Sequence, residues 1–271
     1  MNSETSPAIE LRGASKAFRT PSGALHTAVR DLDLTIGRGE FVAVVGPTGC
    51  GKSTTLTLIS GLEETTEGEV LVAGRPVSGI GDQVGFVFQQ DAVFPWRTVL
   101  SNVMAGPRFR GVPKAEAKER ARAWLAKVGL TSFEDRYPHQ LSGGQRKRVA
   151  LAATFVNDPE ILLMDEPFSA LDVQTRALMS DELLELWAGT GASVVFVTHD
   201  LEESIALADK VVVMTAGPAT VKEVFEIGLP RPRKVEQVRL EPRFLDIYRE
   251  IWSSLGEEVR ITRERGAADA A

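Results

Sequence analysis

One eight-residue stretch limits this chain more than any other: Gly46-Pro47-Thr48-Gly49-Cys50-Gly51-Lys52-Ser53, which fits G-x-x-x-x-G-K-[ST]. Before it stands Phe41-Val42-Ala43-Val44-Val45, apolar on both faces as interior parallel strands are. After it come Leu56 to Leu62, an apolar helical stretch. Strand, glycine turn and helix together let backbone N–H groups curl round phosphate oxygens while the positive end of the helix points at them. In that setting Lys52 reaches the phosphates, the Ser53 hydroxyl is a Mg²⁺ ligand, and Thr54 continues the loop into the helix. A glycine turn that merely contains a lysine is the bland alternative, and the flanking strand and helix argue against it.

Further short apolar runs at Val84 to Phe88, Ile161 to Met164, Val194 to Val197 and Val211 to Val213 read as buried strands. Between them lie helical patterns. Ala117, Ala121, Trp124, Leu125 and Val128 recur at helical spacing after Pro113, and Ala177, Leu184 and Trp187 do likewise. Strands alternating with helices predict an α/β chain with a parallel sheet. Residues 8–40 and 66–84 carry short alternating runs and glycines, which predict antiparallel strands. Residues 97–150 are mainly helical in pattern and predict an inserted subdomain. From Leu229 the Pro-Arg-Pro-Arg stretch reads as a linker, followed by a tail with one helix over Pro242 to Leu255.

The polar residues that follow these strands carry the chemistry. Ile161 to Met164 run into Asp165 and Glu166, where an aspartate can hold Mg²⁺ and a glutamate can polarise an attacking water. Gln89 follows Val84 to Phe88, and His199 follows Val194 to Val197. Alone, each is as ordinary as any polar surface residue. Ligands of open α/β sheets sit outside the carboxyl ends of the strands, and Gly46, Gln89, Asp165, Glu166 and His199 all fall there. Leu141-Ser142-Gly143-Gly144-Gln145 adds a second helix start, with Ser142 as a natural N-cap and two glycines that admit another surface.

The charge balance, 31 basic against 37 acidic residues for a net −6, has the wrong sign for a dedicated nucleic-acid binder. Cys50 is the single cysteine, so no internal disulfide is possible. Met1 to Leu11 lacks the pattern of a secretion signal and no run is long enough to cross a bilayer, so a cytosolic protein is expected, held at any membrane by something else. His26 and His139 show no zinc spacing.

With these residues in place, the chain resembles the ATP-binding subunit of an ABC transporter from about Ile9 to Pro230. Gly46 to Ser53 is similar to the Walker A motif, Gln89 to the Q-loop, Leu141 to Gln145 to the signature, Ile161 to Glu166 to Walker B, Ser169 to Asp172 to the D-loop, and His199 to the switch histidine. The resemblance implies a P-loop NTPase with a RecA-like parallel-sheet core, an antiparallel β subdomain and an inserted α-helical subdomain. It implies an ABC ATP-binding domain over 8–230, with the helical part at about 97–150, and a C-terminal tail over 231–271. By the same resemblance two copies sandwich two ATP molecules, each held by one copy's Walker A loop and the other's signature.

The implied site comprises Gly46 to Thr54, Gln89 and Ser142 to Gln145 for nucleotide, with Phe18 against adenine. Ser53, Gln89 and Asp165 serve Mg²⁺; Lys52, Glu166 and His199 are catalytic. The bare reading of Phe18 is a strand-face core residue. Phe94 to Val99, Leu141 to Val149, Leu229 to Arg233 and Phe244 to Trp252 resemble importers of the nitrate, sulfonate, taurine and bicarbonate group. That implies ATP-driven uptake through a permease, a periplasmic or lipid-anchored solute-binding protein, and a place at the cytoplasmic face of the inner membrane. The alternative reading is a non-transport ABC ATPase acting on nucleic acid or ribosomes, against which the acidic balance stands. Ala153 and Thr48 depart from the commoner Arg and Ser, and neither carries an assigned role. Cys50 reads as a small filler whose backbone N–H serves the loop.

Overall fold

The computed structural model describes residues 6–21 and 23–269, so the last two positions of the expected tail lie outside the described residues. In chain order the elements begin with β1 (Ile9–Arg19), β2 (Leu25–Ile36), β3 (Phe41–Val45), α1 (Lys52–Ser60), β4 (Glu67–Val72), β5 (Arg75–Pro76) and β6 (Val84–Val87). There follow α2 (Val99–Val103), α3 (Ala105–Phe109), α4 (Lys114–Lys127), α5 (Gly143–Phe155), β7 (Ile161–Asp165), α6 (Val173–Ala188) and β8 (Ser193–Val197). The chain closes with α7 (Leu201–Leu207), β9 (Lys210–Met214), β10 (Val221–Glu226), α8 (Val235–Val238) and α9 (Pro242–Asp269). Two compact units divide it: Met1–Gly81 with Ala192–Ala271, and Asp82–Gly191.

In the first unit β3 runs parallel to both β8 and β9, with Phe41 opposite Val194 and Val42 opposite Lys210. All five residues of β3 are buried, which is why that strand shows no alternation. β10, which the sequence did not announce, pairs antiparallel with β9. It mixes three charged residues with three apolar ones without a regular alternation and stays partly exposed, as an edge strand can. A separate antiparallel sheet in the order β2-β1-β4-β5 occupies the stretches expected for it.

In the second unit β6 and β7 are parallel, with Val84 opposite Ile161 and Val87 opposite Met164. The helices α2 to α5 span Val99 to Phe155, around the range expected for the helical insertion. Ala117, Ala121, Trp124 and Leu125 form the buried face of α4, and Trp124 stacks on Phe155 of α5 at 5.3 Å. Asn102, buried on α2, pins the loop before that helix. Its Oδ1 accepts from Phe94 N, and its Nδ2 donates to the carbonyls of Phe94, Arg97 and Thr98.

Two expectations about the C-terminal region need correction. Leu229 to Arg233 is not a loose linker: Leu229 and Arg233 are buried, and Arg233 donates to the carbonyls of Ile205, Ala206 and Ala208 at the end of α7. Burial and the neighbouring Arg231 lower the Arg233 pKa to about 10, so it stays cationic at neutral pH, where a cation suits a helix C-terminus. Helix α9 does not stop at Leu255. Its apolar stripe of Phe244, Ile247, Ile251 and Leu255 is continued by Glu258 and Arg265, which are anchored by hydrogen bonds instead of apolar burial.

Candidate functional site

In the first unit β3 delivers the chain into the turn Gly46 to Gly51, and the turn feeds α1. Glycine is required at the end of the turn. Gly51 has φ +124, and a Cβ there would stand 2.5 Å from the Ala28 carbonyl oxygen. Gly46 and Pro47 are buried whereas Thr48, Gly49 and Ser53 reach the surface and Thr54 is half-buried. Lys52 is only 7% exposed, and its Nζ donates to the carbonyls of Gly46 and Pro47, each at 2.9 Å. The ammonium therefore sits inside the curve of the loop. No acidic residue stands in the first turn of α1 and no side chain caps it. A cation and uncapped N–H groups thus share one concave turn, the combination that suits phosphate. Burial chiefly raises the pKa of the Cys50 thiol, with Lys52 pulling the other way. A buried neutral thiol agrees with the filler reading.

The same unit brings His199 to the edge where Gly46 begins. Thr198, which follows β8, donates its N–H to the Val44 carbonyl in β3. The turn is stiff: the Thr198 hydroxyl donates to the buried Glu203 carboxylate and accepts from Asp200 N–H, while Asp200 caps α7 through Glu203 N–H. The imidazole itself lies exposed. Phe18 of β1 is half-buried, paired across the sheet with His26, with the Lys16 ammonium 5.0 Å from its ring centre.

In the second unit the parallel pair β6 and β7 carries Gln89, Asp165 and Glu166 out at its carboxyl end. Gln89 is exposed, and the two acids are half-buried. Glu166 has φ +42, a left-handed conformation that costs a β-carbon residue on the order of 1–3 kcal/mol and that gathers at functional sites. Its carbonyl is held by the N–H and hydroxyl of Ser169. Nothing in the local sequence announces that strain.

Helix α5 starts as its sequence requires. The Ser142 hydroxyl accepts from Gln145 N–H, and the Gln145 side-chain oxygen accepts from Ser142 N–H, a reciprocal capping box. Gln145, expected to face nucleotide, thus uses its oxygen to build the helix start. A Cβ at Gly143 would make only ordinary contacts, with Leu171 Cδ2 at 3.8 Å and Arg146 Nη2 at 3.9 Å, so the first turn is lightly covered there.

Sequence reading missed Lys147 and Asp91. The Lys147 side chain is 4% exposed; its Nζ lies 2.9 Å from Asp91 Oδ1 and donates weakly to the carbonyls of Phe88 and Gln89 at 3.4 and 3.3 Å. An ion pair whose lysine is buried and whose aspartate is partly exposed therefore fastens the loop carrying Gln89 to the helix that begins at Gly143. The signal was present: Lys147 shares a helical phase with buried Leu151 and Phe155, although it stands between two other cations, Arg146 and Arg148.

Comparison with known proteins decides what this loop and these strand ends belong to. The family model described as ABC transporter matches residues 29–169. The chain belongs to the ABC transporter family. It is an ATP-binding subunit of that family and an ATPase. An uncharacterized ABC transporter ATP-binding protein of Methanocaldococcus jannaschii is 48% identical over 93% of this chain and 92% of its own length. The nitrate import ATP-binding protein NrtD of a Synechocystis strain is 38% identical over 94% and 97%. An aliphatic sulfonates import ATP-binding protein, SsuB of Bacillus cereus, is 37% identical over 83% and 88%. Among solved structures, a dimeric ATP-binding cassette in a post-hydrolysis state bound to ADP and Pi superposes with TM-score 0.73 at 31% identity, covering 82% of this chain and all of that one. The fold of this member is thus the P-loop cassette, with parallel strands, an antiparallel sheet and helices as described above.

Proposed function

We propose that this ATPase powers uptake of a small solute through a membrane permease, working as a pair of copies that close around ATP. Gly46 to Thr54 of one copy hold the phosphates, and Ser142, Gly143 and Gly144 of the other cover them. The observation that carries this reading is the start of α5. It is capped by Ser142, free of acidic residues in its first turn, and met at Gly143 only by the ends of the Leu171 and Arg146 side chains at 3.8 and 3.9 Å, so it offers N–H groups to an anion brought from outside. The dimeric cassette bound to ADP and Pi supports the pairing.

Within that closed state Lys52 neutralises phosphate charge from inside the loop. Glu166 takes the proton of the attacking water, its carboxylate aimed by the left-handed backbone. His199, held by the Thr198 to Glu203 turn, faces the terminal phosphate, and Phe18 stacks on the adenine. Ser53, Gln89 and Asp165 would hold Mg²⁺. They fit it, being a hydroxyl, an amide and a carboxylate oxygen. Among the described residues no cluster of three His, Cys, Asp or Glu could hold a metal by itself, a pattern that suits an ion completed by phosphate oxygens. Bound Mg²⁺ supplies charge that offsets the developing phosphate negative charge.

Among the described residues no helix is long and apolar enough to cross a membrane, so the permease is the proposed anchor, at the cytoplasmic face of the inner membrane. Its docking place in this reading is a 220 Å³ apolar cavity lined by Phe86, Phe88, Phe94, Asn102 and Phe109. Phe94 is half-buried there and Trp96, 5.7 Å from it, is 72% exposed. The relatives named for nitrate and aliphatic sulfonates support a small solute of the nitrate, sulfonate, taurine or bicarbonate kind, delivered by a periplasmic or lipid-anchored binding protein. Glu166→Gln should retain ATP and lose turnover in an ATPase assay; full turnover in that variant removes Glu166 from the role of base.

A further inference from the structure

The C-terminal helix reaches the phosphate loop through one turn. Met214, the last residue of β9, and the turn from Thr215 to Ala219 that leads to β10 lie against that loop. A Cβ at Gly46 would stand 3.2 Å from Met214 Cβ, one at Gly51 would stand 2.9 Å from Ala219 Cβ, and one at Gly217 would stand 3.6 Å from the Cys50 carbonyl oxygen. On its other side the same turn is gripped by α9. Glu258, 6% exposed, accepts from Ala216 N–H at 2.7 Å through Oε2. Its other oxygen is 2.8 Å from the Lys222 ammonium, which also donates to Glu257 and to the Ser254 carbonyl. Two turns of helix further on, Arg265 donates to the carbonyls of Gly217 and Ala216 at 2.6 and 3.3 Å. The charge of Glu258 is also felt at the Cys50 thiol, which it helps to raise.

We propose that Glu258 and Arg265 are positioning residues for nucleotide binding, holding the Met214 to Ala219 turn against Gly46 to Gly51 so that ATP affinity depends on the C-terminal helix. The inference rests on the reading that Gly46 to Ser53 grips phosphate. Its physical basis is that a glycine-rich loop has few side chains with which to fix its own curvature, so the surface it lies on must fix it. Ala216 N–H is a buried donor, and Glu258 is the charged acceptor that meets it. Without that acceptor the turn is free to lift, and the N–H groups above it lose the curvature that phosphate requires.

The test uses the full chain. ATP KM, kcat and the Kd of a fluorescent ATP analogue are measured well below the unfolding temperature for Glu258→Ala, Glu258→Gln, Arg265→Ala, Leu255→Ala and Lys52→Ala. Glu258→Ala should raise KM and Kd about 10-fold with kcat within about twofold, as losing one charge-assisted bond implies. Arg265→Ala, at an exposed position that cannot unfold the helix core, should raise both about threefold. Glu258→Gln, whose amide oxygen still accepts from Ala216 N–H, should recover most of the affinity. Leu255→Ala should lower the melting temperature and leave KM unchanged. Unaltered KM and Kd in Arg265→Ala, or an equal rise in Leu255→Ala, overturns the inference. Lys52→Ala separates the two levels: retained nucleotide affinity there defeats the phosphate-loop reading itself. Lost affinity there, with normal affinity in the α9 variants, defeats only the clamp.

Discussion

Removing Asp91 should hurt this protein more than removing the lysine it neutralises, and the structure sets the size of the difference. The Lys147 ammonium is buried with a carboxylate oxygen at 2.9 Å and two carbonyl oxygens beyond 3.2 Å. Asp91→Ala leaves that cation in place with only the two weak acceptors. Breaking a buried pair in this way costs about 3–5 kcal/mol, and the exposed loop at Phe88 and Gln89 lets the cation relax, which places the loss near the lower end, about 3 kcal/mol. Lys147→Met keeps the stem's volume and removes the charge, while Asp91 keeps Arg146 at 3.3 Å and some water, so the loss should be about 1 kcal/mol. Urea unfolding followed by tryptophan fluorescence measures both. Trp96, Trp124 and Trp187 lie within 82–191 and the fourth tryptophan, Trp252, lies outside it, so with Trp252→Phe as the common background the signal reports the unit that contains the pair. In a thermal melt the Asp91 variant should fall by roughly 6–12 °C. An Asp91→Ala loss no larger than that of Lys147→Met, or both within about 0.5 kcal/mol of wild type, refutes the assignment of a mutually required pair.

Two further outcomes follow from the site and its surroundings. Gly51→Ala should abolish ATP binding and cost more than about 3 kcal/mol, because its Cβ would meet the Ala28 carbonyl at 2.5 Å, whereas Gly49→Ala, with open space and only φ +77 against it, should cost about 1 kcal/mol; denaturant titrations of the pair check this. Replacing Phe94 and Trp96 together with Ala should leave the isolated ATPase active and uncouple transport when the permease is co-expressed, and unchanged transport with intact co-purification contradicts the docking assignment.

Much of the architecture could be read directly from the residues because burial on both faces leaves an unbroken apolar run. Phe41–Val45, Ile161–Asp165 and Ser193–Val197 stand where such runs lie, and the loop after Val45 is marked by its glycines, of which Gly51 has no room for a side chain. The features that stayed hidden share a cause: their stability comes from polar contacts between distant segments. Lys147 is buried by Asp91, 56 positions away, and so looks like one of three surface cations. Arg231 and Arg233 resemble linker residues until the carbonyls at the end of α7 are seen to receive them. Helix α9 continues past Leu255 because Glu258 and Arg265 hold the Ala216–Gly217 turn, a gain that hydrophobic periodicity does not register. The left-handed Glu166 is a backbone property, and an ordinary acidic residue gives no sign of it.

The central claim is that one copy's phosphate loop and another copy's α5 start enclose the same nucleotide. Sedimentation velocity on Glu166→Gln tests it most directly, with and without MgATP, beside the double variant Glu166→Gln, Gly143→Asp. An aspartate at Gly143 stabilises the helix start by about 0.3–1 kcal/mol and repels an incoming phosphate, so fold and function should move in opposite directions. The account predicts monomers without nucleotide, dimers with MgATP for Glu166→Gln, and monomers that still bind ATP for the double variant. Nucleotide-loaded Glu166→Gln that stays monomeric, or a double variant that dimerises equally well, contradicts it.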